Sequence, residues 1–266
     1  MDRLAALQHA IEGRAAPGQD ASFVDRLGVT RVGDVAHLDF YGSPFGESFG
    51  DLLDALADAE VAGVVAALDL RGPDDGSNGT RNWDLTPLAE CGAAFPKLRR
   101  LSIEQAKPAD HNQTIVGQSY DEDGVLAKIL AKAPALEVLV TPSAPNADFF
   151  RVGRRPLELL SVDAGYDHQG FIANLAASAY FPNLRTLEFG EYNETYMADF
   201  AAAMTPFADY RALFASPAFA PVAVFRWRNP KCSPDEMAES RRLNAGRQVH
   251  VTHWSSEWLR QAVVVR

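Results

Sequence analysis

The chain has 266 residues and a formal net charge of −10; 47% of its residues are apolar and 23% are charged. This balance is typical of a globular protein with a substantial core. The negative charge argues against nucleic-acid binding and against docking on an anionic membrane, because both need a basic surface. We therefore expect neither nucleic acid nor a membrane among its partners.

The amino-terminal stretch and the cysteines predict a cytoplasmic protein. Leu4, Leu7 and Ile11 fall on one face of a predicted amphipathic helix, whereas a signal peptide needs a continuous apolar core. No stretch approaches the ~18 apolar residues of a membrane span. Cys91 and Cys232 each lack a second cysteine nearby, so the spacing predicts neither a metal site nor a disulfide framework. A reducing compartment is the simplest setting for such a chain.

After this helix, residues 23–27 (Phe-Val-Asp-Arg-Leu) predict a strand beside the next apolar segment. Repeat arrays need terminal units with a polar outer face. We expect residues 1–30 to form such an N-terminal cap.

A duplicated phrase is the clearest pattern in the chain. The sequence Phe-Pro-x-Leu-x-x-Leu-x-apolar occurs at residues 95–103 and again at residues 181–189. Proline ends the preceding element, and the apolar positions that follow favour a short strand with one buried face. The same apolar spacing predicts seven strands and a weaker eighth: Val35/Leu38/Phe40, Val65/Leu68/Leu70, Leu98/Leu101/Ile103, Leu136/Leu139/Thr141, Leu157/Leu160/Val162, Leu184/Leu187/Phe189, Val222/Phe225/Trp227 and Gly246/Val249/Val251.

Helical periodicity fills most of the stretches between these segments. It covers residues 49–57, 125–132, 171–179, 210–214 and 235–243. A strand–loop–helix unit cannot bury its apolar face alone, so neighbouring units are expected to stack into one continuous core. An ordinary doubly wound sheet is the alternative, although no glycine-rich strand-to-helix turn supports it.

The strand phrase resembles the strand half of leucine-rich repeats, as in Leu98, Leu101 and Ile103. The resemblance is closest to irregular, bacterial-type repeat proteins. It implies a right-handed α/β solenoid of leucine-rich-repeat type, with parallel strands on the concave face and helices on the convex face. The implied single domain spans 1–266, with seven to eight irregular repeats at 31–254 and a C-terminal cap at 255–266, where residues 256–262 predict a helix. The asparagine or cysteine that usually follows each strand in this family is missing, so a flatter and less uniform arc is expected.

Two turn-rich excursions, at residues 72–82 and 105–123, predict surface loops that could carry a binding or hydrolytic site. Residues 121–124 (Asp-Glu-Asp-Gly) lack the ligand spacing of a calcium loop and predict a solvated acidic turn that caps the helix at 125–132. His250 and His253 lie on a predicted strand and therefore point to opposite faces, which disfavours a metal site. We expect no cofactor and no metal.

The outward positions of the predicted strands remain as the candidate functional surface, since alternate residues of a strand point away from the core. We predict a protein-binding surface with an acidic centre and a basic edge, made of Asp39, Tyr41, Asp69, Arg71, Arg100, Glu104, Asp163, Glu188, Arg226 and Arg228. The sequence thus favours a non-catalytic scaffold for an unknown protein partner. A hydrolase with its site in the two excursions, or a self-associating structural subunit, are the alternatives.

Overall fold

The structure is a computed structural model that describes residues 2–74, 76, 79–107, 110–118, 122–191, 204–254 and 262–265. Its helices are α1 (Arg3–Glu12), α2 (Glu47–Leu56), α3 (Ala59–Ala62), α4 (Thr86–Glu90), α5 (Val125–Lys132), α6 (Phe171–Ala176), α7 (Phe207–Ala215) and α8 (Pro234–Leu243). Its strands are β1 (Arg26–Val32), β2 (Val35–Tyr41), β3 (Val65–Arg71), β4 (Thr80–Trp83), β5 (Arg100–Ile103), β6 (Gln113–Val116), β7 (Val138–Thr141), β8 (Leu159–Asp163), β9 (Thr186–Gly190), β10 (Val224–Arg228), β11 (Gln248–Trp254) and β12 (Ala262–Val265). Short 3₁₀ turns occupy Ala21–Phe23 and Ala147–Arg151.

Ten of the described strands form one sheet whose order follows the chain: β1-β2-β3-β5-β7-β8-β9-β10-β11-β12. Neighbours from β2 to β11 pair in parallel, while β1 and β12 pair antiparallel with β2 and β11 at the two edges. Parallel neighbours need a crossover, which α-helices supply except between β7 and β8, where only the 3₁₀ turn Ala147–Arg151 lies. The fold is thus mixed α/β with a large, mostly parallel sheet.

Each of the eight predicted strand segments falls on a strand of this sheet, and the middle apolar positions lie in register. The paired residues are Leu38↔Leu68, Leu68↔Leu101, Leu101↔Leu139, Leu139↔Leu160, Leu160↔Leu187, Leu187↔Phe225 and Phe225↔Val249. From Leu38 to Phe225 these side chains are at most 2% exposed. The spacing read from the sequence therefore identified one continuous row of the core.

Helices cover the face of the sheet that carries this row. Phe171 of α6 stacks on Phe189 of β9 with ring centroids 5.2 Å apart, and Tyr210 of α7 lies 4.3 Å from Trp227 of β10. Successive helices also contact one another, as α6 does α7 and α7 does α8. The core fills the space between the helices and this face, so the intervening strand residues point the other way.

The described parts of the two excursions are more ordered than the surface loops that the sequence predicted. Each contains a strand, and β4 and β6 pair in parallel as a separate two-stranded sheet. Trp83 and Val116 are at most 1% exposed, and Trp83 packs edge-on against Phe49 of α2 at 5.0 Å. The buried Arg81 donates to Asp110 at 2.7 Å and to the Gly72 carbonyl at 3.1 Å. A buried aromatic and a buried ion pair order a stretch whose Gly- and Asp-rich composition predicted turns.

The ends of the sheet differ in part from the predicted caps. At the amino end, β1 begins at Arg26 rather than Phe23, and α1 packs on β1 and α2. At the other end, residues 255–261 lie outside the described residues. Ala262, the last residue of the predicted capping helix, begins strand β12.

Leu187 and Leu243 give a matched test of this core. Leu187 is fully buried in the central row, whereas Leu243 at the end of α8 is 40% exposed. We expect Leu187→Ala to lower the free energy of unfolding by about 2–5 kcal/mol, because it removes buried methyl groups and leaves a cavity. Leu243→Ala should change it by less than about 0.5 kcal/mol. Urea denaturation measures both, and equal effects would contradict the assigned register.

Candidate functional site

The parallel register sets the outward side chains in rows across the sheet. One row runs Asp39↔Asp69↔Ser102↔Val140↔Ser161↔Glu188↔Arg226↔His250. A second, nearer the carboxyl ends of the strands, runs Asp163↔Gly190↔Arg228↔Thr252. The predicted surface residues therefore do share one face, but they fall into two groups, over β2–β5 and over β8–β11.

In the first group, carboxylates and arginines pair across neighbouring strands. Arg71 Nη2 donates to Asp39 Oδ1 at 2.7 Å, and Arg100 Nε donates to Asp69 Oδ1 at 2.8 Å. The side chains of both arginines are close to half exposed. The acidic centre predicted from the sequence is thus interleaved with cations, because the register brings each carboxylate beside an arginine of the next strand.

The other two residues of this group also have local partners. Tyr41 donates its hydroxyl to the Ser22 carbonyl at 2.8 Å and lies beneath the guanidinium of Arg26 at 3.8 Å. Glu104 pairs with Lys107 just beyond β5 and accepts from the Gly72 N–H at 3.4 Å. The contacts of Glu104 connect both excursions to the carboxyl end of β5, while those of Tyr41 connect β2 to the segment that precedes and begins β1.

The second group lines an open cavity of about 190 Å³ on the outward face. Its walls come from four adjacent strands, β8 to β11, and from the stretch that follows β5. The lining residues are Gln105, Ser161, Val162, Asp163, Glu188, Phe189, Gly190, Arg226, Trp227, Arg228 and Thr252. Four of the ten predicted surface residues therefore meet in one concavity: Asp163, Glu188, Arg226 and Arg228.

Asp163 and Arg228 form an ion pair that spans an intervening strand. Asp163 lies on β8 and Arg228 on β10, and Gly190 of β9 stands between them in the register. A Cβ atom at Gly190 would lie 2.6 Å from the Arg228 Cζ, so the guanidinium occupies the space that a side chain would fill. The absence of a side chain at Gly190 is what permits the pair.

Asp163 is more deeply buried than the sequence predicted for a binding surface, at 5% exposed. Burial raises the pKa of its carboxyl to about 6, although the charge and hydrogen bond of Arg228 act in the opposite direction. The negative charge of Glu188 contributes further to the increase. Asp163 thus sits beneath the face as an anchor for Arg228 rather than as an exposed contact.

Glu188 holds the second arginine of the cavity. It forms an ion pair with Arg226, its direct neighbour on β10, and its other oxygen lies 3.2 Å from the Ser161 hydroxyl. Gln105 bridges the same region, with Oε1 3.3 Å from Ser161 Oγ and Nε2 donating to the Thr141 carbonyl at 3.0 Å. Carboxylates and hydrogen-bonding side chains thus fix the orientation of both guanidinium groups.

Two further buried carboxylates stabilise elements of the fold. Glu122 is fully buried and accepts from the Leu126 N–H at 2.8 Å and from the Asn146 N–H at 3.0 Å. The predicted cap at the start of α5 is therefore confirmed, but the predicted solvated turn is wrong at Glu122. Burial raises the pKa of Glu122, and it also raises the pKa of Glu191, which accepts from the Tyr210 hydroxyl.

The histidines do not converge on a metal centre in the described part of the chain. His250 and His253 lie on strand β11, as predicted, three positions apart. His111 Nδ1 lies 3.0 Å from Asp74, and His168 Nδ1 accepts from the Gly170 N–H at 3.0 Å. Among the described residues no group of three or more His, Cys, Asp or Glu side chains is placed to hold a metal ion.

Comparisons of the chain with protein-family models and with curated proteins find no match. Within the part of the chain that the structure describes, no helix has both the length and the apolar character needed to cross a membrane.

The predicted binding surface omitted seven lining residues of the cavity: the apolar Val162, Phe189 and Trp227, and also Gln105, Ser161, Gly190 and Thr252. Gly190 did leave a signal, because it holds the same outward position on its strand as Asp163 and Arg228 do on theirs. A glycine inside a strand marks a place where another group approaches closely. Gln105 follows β5 outside any periodic pattern, so no sequence signal placed it here.

The buried carboxyl of Asp163 predicts a pH-dependent stability. Its pKa of about 6 in the folded protein exceeds the value of about 3.9 expected in the unfolded chain, so the folded state retains a proton in that interval. The proton on Asp163 therefore stabilises the folded protein. This contribution to the free energy of unfolding is fully present below about pH 4 and is lost as the pH rises through about 6. Relative to Asp163→Asn, we expect the wild type to lose on the order of 3 kcal/mol of unfolding free energy between pH 4 and pH 7.

Urea denaturation across this pH range measures the difference. Asp69→Asn is the control, since it removes the carboxylate of another arginine pair on the same face that remains in contact with water. A flat difference between wild type and Asp163→Asn would refute the assignment.

Gly190→Ala tests the ion pair across the strand. The added methyl group must displace the Arg228 guanidinium, which leaves the buried Asp163 without that partner. We expect a destabilisation of about 3 kcal/mol at pH 8 and a clearly smaller one at pH 5, where Asp163 is protonated. Thermal and urea unfolding at both pH values check this. Gly92→Ala, where the new methyl group meets open space, should have little effect at either pH.

Proposed function

We propose that this protein is a leucine-rich-repeat-like α/β solenoid that binds a partner protein through the outward strand face and carries out no catalysis of its own. The observation that carries this proposal is the one-sided arrangement of the sheet. Helices pack on one face, while charged side chains from six of the eight parallel strands lie on the other. A stacked array of this kind offers an extended surface built from one residue per strand in each row.

The chemistry of the face suits a polar, charged ligand surface. Three arginines of this face form ion pairs and are about half exposed: Arg71, Arg100 and Arg226. Each guanidinium group has five N–H donors. Exposed ion pairs contribute little to stability, typically about 0–1 kcal/mol, so the presence of three such pairs on one face is not explained by folding alone. Arginine is also enriched among the residues that dominate protein interfaces.

The regular distance between neighbouring strands also suits an extended partner segment. Neighbouring strands lie about 4.8 Å apart, so the eight parallel strands extend over about 35 Å. A partner segment that crosses the strands would meet one group of carboxylates and arginines over β2–β5 and a second over β8–β10, separated by Ser102, Val140 and Ser161. Complementary charges in the partner would set both its register and its rate of association.

The test is a charge reversal on the strand face compared with one on the helices. The strand-face variant is Arg71→Glu with Arg100→Glu, and the control is Arg3→Glu with Arg211→Glu, which changes two exposed, ion-paired arginines of α1 and α7. Affinity capture from an extract of the source cells, quantified by mass spectrometry, compares both with the wild type. We expect the strand-face variant to lose at least about 90% of the partner that the wild type enriches, because like charges oppose one another across the interface.

Circular dichroism and thermal unfolding establish that both variants fold. Loss of the partner by the helix variant, with capture by the strand-face variant intact, would overturn the proposal.

A further inference from the structure

The cavity over β8–β11 combines several features of a binding site. It is concave, it contains two arginines from one strand, and its floor holds Ser161 at 4% and Asp163 at 5% exposure. A pocket with convergent polar groups is the usual form of a binding site.

The arginine side chains of the cavity are more exposed than the carboxylates with which they pair. The side chains of Arg226 and Arg228 are 55% and 19% exposed, whereas those of their partners Glu188 and Asp163 are 27% and 7% exposed. The guanidinium groups therefore lie nearer the opening, and the carboxylates lie beneath or behind them. An incoming group faces N–H donors, which are complementary to an anion.

The size of the cavity limits that anion. At about 190 Å³ it has room for on the order of six water molecules. Nucleotides and most cofactors need 300 Å³ or more. A carboxylate with one or two adjoining residues fits, and two neighbouring arginines offer the fork of donors that a carboxylate accepts.

We propose that the cavity formed by β8–β11 binds the C-terminal carboxylate of a partner peptide, with Arg226 and Arg228 as donors and with Glu188 and Asp163 as the groups that orient them. This inference rests on the proposed function, since it names the part of the partner that the strand face recognises. Thr252 and Ser161 add hydroxyl groups to the walls of the cavity.

The arrangement makes recognition sensitive to pH. Among the described residues, two charged groups act on Asp163: Arg228 from β10 and Glu188 from β9. When Asp163 takes up a proton, its ion pair with Arg228 is weakened and the cavity gains one positive charge. Binding of a carboxylate should then strengthen as pH falls through about 6.

Calorimetric titration with N-acetyl-alanyl-alanine, and with the same peptide carrying a C-terminal amide, tests the proposal. We expect the free acid to bind the wild type at least about fivefold more tightly at pH 5.5 than at pH 7.5, since affinity follows the fraction of protein with a neutral Asp163. The amide should bind at least about tenfold more weakly than the acid at pH 5.5, because it brings no charge to the guanidinium groups. The side-chain Nε–H resonances of Arg226 and Arg228 should shift with the acid alone.

Two variants separate this role from a structural one. Asp163→Asn should bind the acid at pH 7.5 about as tightly as the wild type does at pH 5.5, and its affinity should no longer change with pH. Arg226→Gln should lose at least about tenfold in affinity. Arg211→Gln is its matched control, because Arg211 is likewise half exposed and paired with a glutamate, Glu239, but on the helical side; it should bind as the wild type does.

Equal binding of acid and amide, or unchanged binding by Arg226→Gln, overturns the inference. Either result leaves the proposed function standing if the Arg71→Glu/Arg100→Glu variant still loses the captured partner. The converse combination is specific binding of the peptide acid while the Arg71→Glu/Arg100→Glu variant still captures the partner and the helix variant loses it. That combination would refute the proposed function and leave the carboxylate site standing.

Discussion

The structure depends on one constraint, the in-register stacking of a buried apolar residue from each successive parallel strand. From Leu38 to Phe225 these residues occupy equivalent positions and are nearly inaccessible to water. A shift of one residue in any pairing would turn the apolar set of that strand toward the outward face. The register of the whole sheet is therefore fixed by burial, and the helices follow because they must cover that row.

The same constraint determines the outward face. Because strand residues alternate, a fixed inward row also fixes which side chains project outward and which of them become neighbours. Carboxylates and arginines from adjacent strands then pair, as in Asp39 with Arg71 and Glu188 with Arg226. The register thus decides which opposite charges become neighbours, although the composition of the chain is strongly negative overall.

Gly190 shows how a small local difference produces a site. Where its neighbours in the register carry charged side chains, the glycine leaves a gap that Arg228 fills on its way to Asp163. The result combines a buried carboxyl, an oriented guanidinium and an open volume at one position of the outward face. Burial makes the pair responsive to pH near 6, because the cost of desolvation competes with the charge of the arginine.

The sequence by itself determined the eight parallel strands of the large sheet, most of the helices and most of the residues that face outward, since apolar spacing and proline positions report directly on burial. Tertiary structure alone decided how the outward charges pair, that Asp163 and Glu122 are buried, and that the two excursions join as β4 and β6. These features arise from contacts between residues far apart in the chain, such as Arg81 with Asp110 and Arg228 with Asp163. Periodicity describes one segment at a time, so it contains no information about which distant side chain fills the space above a glycine.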